Sequence, residues 1–276
     1  MRVKTNSEGL REEKDYNYLG KSVIFLGDSI VEGASVDNNQ TFESIFERLT
    51  GITSLNFGVG SSNTRLEYYF LKAKYRTSYN TCHIVLGFCL NDWDQLDRCF
   101  DENYGNWVPC KSDWYQGKFF RRIYNEPLMT KVKSILKKSH FVLFLWRSCK
   151  KIVEGKYKPY SSLMLSKDQI RETEKWILKI KDFADNIGAC FTLVMFPMVE
   201  QFSYEYKPGE RQQDVLIKIL ERHHIDYIDL YDFLKREYKK DPEIYWDHVH
   251  PYVKGHRLIG EYLASHLKIC KCKVGK

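Results

Sequence analysis

Apolar residues along the chain fall into short continuous runs, and each run stops at a polar turn marked by glycine, proline or asparagine. The first run is Val23-Ile24-Phe25-Leu26, closed by Gly27-Asp28-Ser29. Such an unbroken apolar stretch, mostly β-branched or aromatic, predicts a strand buried on both faces. Over residues 41–49 the apolar positions instead share one face at helical spacing, with Thr41 placed as the N-cap. A short strand at 52–56 runs into the turn Phe57-Gly58-Val59-Gly60-Ser61-Ser62-Asn63-Thr64, and residues 66–75 read as the following helix. His83-Ile84-Val85-Leu86-Gly87-Phe88 is a third buried strand, ending at Leu90-Asn91-Asp92. This repeated rhythm of strand, polar turn and helix predicts a parallel sheet.

Residues 93–165 interrupt the rhythm with Trp93, Trp107, Trp114, Trp146 and further Tyr and Phe, and with helices expected at 126–138 and 139–150. An aromatic-rich insertion after a strand can cover a site and shape its pocket, or it can pack helices on the outside of the sheet. The rhythm returns with an amphipathic helix over 167–186, closed by Gly188, and a strand over 190–196, stopped by Pro197. A helix at 214–224 and a short strand at 225–230 follow. Asp247-His248-Val249-His250-Pro251 is a loop, and residues 252–267 form a last helix with Leu258, Ile259, Tyr262, Leu263 and Leu267 inward. No linker or internal repeat divides the chain. The expected organisation is a polar, partly disordered lead-in over 1–20 and one domain over 21–276.

Composition narrows the class. At 43% hydrophobic and 15% aromatic residues the chain is globular and not disordered. The net charge of +7 comes from scattered Lys and Arg, with groups at 131–138 and 150–158 that read as solvated helix faces. A basic rim for an anionic substrate or membrane surface is the other reading. No zinc-finger spacing, RNP-like string or basic coiled-coil region points to nucleic acid. Among the eight cysteines, Cys82, Cys89 and Cys190 lie in or beside apolar runs and read as free thiols packed as small hydrophobes. Cys270-Lys271-Cys272 lacks a second pair for zinc, and His223-His224 lack obvious carboxylate or cysteine partners. The N-terminal residues carry no secretory h-region, and the apolar run at 141–146 is too short to span a bilayer. A soluble, reducing, cytoplasmic setting is the expectation.

The residues that close the strands carry the chemistry, because ligands gather at the carboxyl edge of an open parallel sheet. Ser29 there is either a helix cap or a nucleophile. Acyl transfer to a serine also needs a base steadied by a carboxylate, and donors for the oxyanion. Asp247 and His250 share one loop, with His248 as a competing base. The turn 58–61 can present a backbone N–H, and Asn91 a side-chain amide. Asp28 and Asp92 read as local hydrogen-bond acceptors that hold their turns.

On these residues the chain resembles the SGNH (GDSL) hydrolase superfamily. Gly27-Asp28-Ser29 matches the first block, Asn56-Phe57-Gly58-Val59-Gly60 the second, Asn91-Asp92 the third and Asp247-x-x-His250-Pro251 the last, in the family's order. The resemblance implies a three-layer αβα sandwich around a parallel sheet of about five strands, in flavodoxin-like order. It also implies Ser29 as nucleophile, His250 as base and Asp247 as its orienting carboxylate. The implied oxyanion hole combines the Ser29 N–H, a second-block N–H from Gly60 or Ser61, and Asn91. No metal or cofactor is implied. Two departures stand out: Ser61 occupies the place of the usual donor glycine, and the third block, Gly87-Phe88-Cys89-Leu90-Asn91-Asp92, is longer than Gly-x-Asn-Asp. The G-x-S-x-G elbow of α/β-hydrolases is absent. The expected activity is hydrolysis of an acyl or acetyl ester, of a small molecule or a glycan, through an acyl-Ser29 intermediate. The alternatives are an O-acyltransferase or deacetylase acting on a glycan, and a non-catalytic binding module.

Overall fold

A computed structural model describes residues 3–13, 15, 20–93, 98–101, 106–109 and 165–270. The chain forms two units, Met1–Leu96 with Met164–Lys276, and Asp97–Leu163. The described part of the second unit is an antiparallel ribbon of β4 (Arg98–Asp101) and β5 (Asn106–Pro109), with Arg98 opposite Pro109. The helices expected at 126–138 and 139–150 lie outside the described residues.

In the first unit, β1 (Ser22–Gly27), β2 (Thr53–Gly58), β3 (Thr81–Cys89), β6 (Cys190–Phe196) and β7 (Asp226–Asp229) form one parallel sheet. Its order is β2-β1-β3-β6-β7, the flavodoxin-like arrangement. Every residue of β1 and β3 is buried, so both faces of the sheet are covered. The helices are α1 (Ser29–Glu32), α2 (Phe42–Thr50), α3 (Thr64–Lys74), α4 (Lys167–Asn186), α5 (Gln212–Arg222), α6 (Tyr231–Lys240) and α7 (Val253–His266).

Register decides which helices cover which face. Phe25 packs edge-on against Phe42 and Phe46 of α2, and α7 packs along α2. Phe57, paired with Leu26, is one register step away and so points to the other face, where it meets Phe70 of α3. There α3 packs on α4. Helix α4 starts on a capping box, with Ser166 Oγ accepting from Gln169 N and Gln169 Oε1 from Ser166 N. Helix α6 escapes a periodicity reading because only Tyr231 and Leu234 of its ten residues are buried.

Two expectations need correction. The lead-in is not a loose tail where it is described: Leu10 and Arg11 are buried. The Arg11 guanidinium donates to the carbonyls of Glu32 (2.6 Å), Gly33 (2.5 Å) and Val36, and to Asn38 Oδ1 (3.1 Å). Cys190 and Cys82 are not free thiols either. Cys190 forms a disulfide with Cys270, with Cα atoms 6.1 Å apart, and Cys82 is also disulfide-bonded. The segment after α7 returns to the start of β6, a proximity that spacing in sequence does not reveal. Such bridges persist in oxidising settings, so the reducing setting expected from scattered cysteines loses its basis. Among the described residues, no helix is long and apolar enough to cross a membrane.

Three glycines clear the ground for the site. Gly27 and Gly58 pair at the ends of β1 and β2, and a Cβ on Gly27 would stand 2.9 Å from the Gly87 carbonyl of β3. A Cβ on Gly27 or Gly87 would fall 2.4 or 2.5 Å from Val31 Cγ2, and one on Gly58 would fall 2.0 Å from the Glu32 nitrogen. Adjoining strands thus lack side chains where α1 lies on them. Asn56 ties α1 down from below, donating through Nδ2 to the Val31 carbonyl at 3.0 Å and to the Glu43 carboxyl.

Burial pushes Glu43 up to about 7, against the hydrogen bonds and the Arg11 charge that favour its ionised form. Its folded value lies above its unfolded one. The stability it contributes is therefore complete below about pH 4.5 and is lost as pH rises through about 7. Glu43→Gln is expected to reduce the loss of stability between pH 6 and pH 9, by up to about 1.5 kcal/mol. Urea unfolding at both pH values measures this, and an unchanged pH dependence would contradict it.

Candidate active site

The chain leaves β1 at Gly27 and turns at once into α1. Asp28 is the N-cap, with Oδ1 accepting from Ile30 N at 2.9 Å, and Ser29 is the first helical residue. The capping alternative for Ser29 is thereby answered, since Asp28 does the capping. Gly33 ends the helix at φ +78°, its N–H directed at the carbonyls of Ile30 and Ser29. Ser29 Oγ lies 2.9 Å from His250 Nε2.

The histidine is placed by its own loop. Asp247 Oδ1 accepts from Val249 N (2.7 Å) and His250 N (2.8 Å), while Oδ2 meets His250 Nδ1 at 2.8 Å. Trp246 N donates to the His250 carbonyl at 2.8 Å and closes the loop. Partial burial pushes the Asp247 carboxyl up, but the backbone N–H and ring of His250 and the Val249 N–H outweigh it and hold the group below its usual range. With a carboxylate at Nδ1, the imidazole carries its proton there and offers Nε2 as the acceptor for Ser29. The competing His248 is exposed, and its carbonyl accepts from Val199 N at 2.9 Å. Ser35, which the sequence reading passed over, donates to the Pro251 carbonyl at 2.5 Å and ties the segment after α1 to the histidine loop.

Asn91 lies on the short 3-10 turn after β3 and donates through Nδ2 to Asp28 Oδ2 at 3.2 Å. Asp28 is fully buried; desolvation raises its carboxyl, and the Ile30 N–H and Asn91 amide oppose that rise. The longer third block therefore still brings Asn91 to the first. Asp92 turns inward instead, accepting from Cys89 N at 2.9 Å. Glu67, on the buried side of α3, accepts from Ser62 Oγ at 3.0 Å. Burial, then mutual repulsion together with Asp28, holds Asp92 and Glu67 well above the carboxylate range. Nothing in the local sequence marks Glu67, because only the packing of α3 turns it inward.

The β2–α3 turn is lashed to the end of β1: Val59 N and Ser62 Oγ donate to the Gly27 carbonyl at 2.9 and 3.2 Å. A Cβ at Gly60 would lie 4.0 Å from Ser29 Cβ, so the turn borders the serine. The Glu32 carboxylate lies against this turn, its Oε2 2.6 Å from where a Cβ on Gly60 would be. Ser61 has φ +63°, the left-handed region that suits a glycine. Away from this cluster, His223 has a carboxylate partner after all, Glu174 Oε1 at 2.6 Å, supplied by α4 from far along the chain. Among the described residues, no group of three or more His, Cys, Asp or Glu could hold a metal ion.

Sheet order, the serine at the end of β1 and the Asp-His loop together define a flavodoxin-like α/β fold that brings a serine, a histidine and a carboxylate together at the carboxyl edge of its sheet. No family model matches the chain, and no curated protein is similar to it. Solved structures are. A member of the lipolytic protein G-D-S-L family from Veillonella parvula DSM 2008 superposes with TM-score 0.51 at 13% identity, over 90% of this chain and 98% of that one. A catalytic mutant of an acetylxylan esterase from Geobacillus stearothermophilus gives 0.51 at 13%, over 90% and 95%. An α/β hydrolase enzyme from the metagenome of Lake Arreo, Spain, gives 0.51 at 14%, over 90% and 96%. The chain has the SGNH (GDSL) hydrolase fold.

The left-handed conformation of Ser61 costs about 1–2 kcal/mol relative to glycine. Ser61→Gly is expected to stabilise the protein by about 0.5–1 kcal/mol, part of the gain being offset by the freer unfolded chain. A lower melting temperature in thermal denaturation would contradict this.

Proposed function

We propose that the protein hydrolyses carboxylic esters through an acyl-Ser29 intermediate. One observation carries the proposal: Ser29 Oγ, His250 Nε2, His250 Nδ1 and Asp247 Oδ2 form a continuous chain with links of 2.9 and 2.8 Å. In this reading His250 takes the Ser29 proton as Oγ attacks the ester carbonyl, and Asp247 stabilises the imidazolium that results. The proton then passes to the departing alkoxide. Water, deprotonated by the same imidazole, attacks the acyl-serine and releases the acid.

The oxyanion is held by the Ser29 N–H, by Asn91, whose Nδ2 has a second hydrogen beyond the one on Asp28, and by a backbone N–H of the β2–α3 turn. Of the two candidates in that turn we assign Ser61. Ser61 stands where the family pattern has its donor glycine, and its left-handed φ is the conformation that suits a glycine. The acetylxylan esterase among the structural neighbours supports a sugar-borne acetyl group as the first substrate class to test.

A fluorophosphonate should form a single covalent adduct on Ser29, absent from Ser29→Ala, by mass spectrometry of the intact protein and its peptides. A folded wild type without an adduct would overturn the proposal. Asn91→Ala should lower kcat by ~10²–10³ while the circular dichroism spectrum stays unchanged. Wild-type turnover in that variant would remove Asn91 from the oxyanion site.

A further inference from the structure

We propose that the cavity beyond the carboxyl ends of β6 and β7 is a carbohydrate subsite, which holds outlying units of a neutral oligosaccharide whose acetyl group reaches Ser29. The inference rests on the ester-hydrolysis reading above and deepens it, by naming a substrate class and giving it a second point of attachment.

Topology places the cavity on the same edge as the serine. The chain between β6 and α5 forms one wall, with Glu205, Tyr206 and Lys207, and the first turns of α6 form the other. Its volume is about 660 Å³. Ligand sites commonly measure about 300–1,000 Å³. In the sheet, β6 and β7 stand two and three places from β1. At about 4.8 Å per strand, their ends lie roughly 10–14 Å along the edge from the end of β1. An oligosaccharide spans that distance and a single sugar does not. The chain leaving β6 is also tied to the histidine loop, Val199 N donating to the His248 carbonyl at 2.9 Å and Tyr245 Oη to the Pro197 carbonyl at 3.0 Å.

The wall residues are held in place. Arg211 donates to Asp214 Oδ1 through Nε (3.0 Å) and Nη2 (2.8 Å), and to Asp229 Oδ2 through Nη1 (3.2 Å). Its guanidinium lies 4.8 Å from the centre of the Tyr231 ring. Each Nη keeps one N–H without a partner among the described residues. Tyr231 Oη donates to the Gln201 carbonyl at 3.2 Å and accepts from Lys235 Nζ at 3.1 Å. At the mouth, Glu205, Lys207 and Asp232 are exposed. Their charged groups make no hydrogen bond or ion pair among the described residues.

This lining selects the ligand. The carboxylates of Glu205, Asp214 and Asp232 are matched by Lys207, Arg211 and Lys235, so the cavity presents no net charge to an anion. An alkyl chain would strip water from those groups and return no hydrogen bonds. A sugar hydroxyl both donates and accepts, so a single ring can serve acid and base together. The rings of Tyr206 and Tyr231, edge-on with centroids 6.4 Å apart, add apolar surface for its C–H groups.

The experiment uses Ser29→Ala, which cannot turn over, with xylotetraose, cellotetraose and chitotetraose as probes, followed by calorimetry and amide NMR shifts. At least one sugar should bind and shift amides at 205–211 and 231–235. A Lys207→Ala, Asp232→Ala double variant should weaken that binding ~5-fold or more. Both side chains are exposed and unbonded, and circular dichroism checks that the fold is kept. With Ser29 restored, the same double variant should raise KM for the acetylated form of that sugar several-fold relative to KM for p-nitrophenyl acetate. Binding by none of the three sugars would overturn the inference. So would shifts confined to the surroundings of Ser29, an affinity that the double variant leaves unchanged, or stronger occupation of the cavity by phosphate or octanoate. Failure of the ester reading appears separately, as a wild type with neither turnover nor a Ser29 adduct whose cavity still binds the sugar.

Discussion

Close approach of one short helix to the ends of three strands is the constraint on which this site depends. Val31 fits over Gly27 and Gly87, and the backbone of Glu32 lies where any side chain at Gly58 would have to be. Because the helix can begin one residue after the strand, Ser29 stands at the carboxyl edge of the sheet, half-buried and within 2.9 Å of His250. Had those strand ends carried side chains, α1 would be lifted off the sheet and the serine moved away from an imidazole whose position a different loop determines. Asn56 reinforces the approach from underneath, its amide bonded to the Val31 carbonyl and its oxygen to Gly58 N.

Electrostatics follow from that closeness. Asp28 caps α1 and accepts from Asn91, so one buried carboxylate organises both the nucleophile's helix and the third block. Beneath it, Asp92 and Glu67 are pressed toward their neutral forms, because three buried carboxylates in one region cannot all keep their charge. Asp247 is the contrast: less buried and supplied with three donors, it is held ionised and available to steady the imidazole. Acids of similar chemistry thus divide between structural and electrostatic roles according to the donors that surround them.

Both ends of the described chain contribute to this arrangement or to the sheet that carries it. Arg11 braces the C-terminal end of α1 through three carbonyls, and the Cys190–Cys270 disulfide fastens the segment after α7 to the first residue of β6. Neither link could be read locally. An arginine in a polar stretch looks solvated, and a cysteine beside an apolar run looks like a buried thiol, until the partner is brought from another part of the fold.

The sequence by itself determined the sheet and the candidate site's main members. Uninterrupted apolar runs with period-free burial marked β1, β3 and β6, and helical spacing marked α2, α4 and α7, because burial on two faces or on one stripe leaves a local signature. Ser29, Asn91, Asp247 and His250 were legible for the related reason that turns at strand ends need recognisable residues. Only the tertiary structure decided that Asp28 is the cap, that the Glu32 carboxylate lies against Gly60 while Ser61 takes a left-handed φ, and that Glu67 faces inward. Helix α6 was hidden by its few buried positions, and the Cys190–Cys270 disulfide by its sequence separation of 80 residues. The division has one cause: periodicity records what each segment buries, whereas hydrogen bonds, strain and charge pairing depend on neighbours that folding brings from elsewhere in the chain.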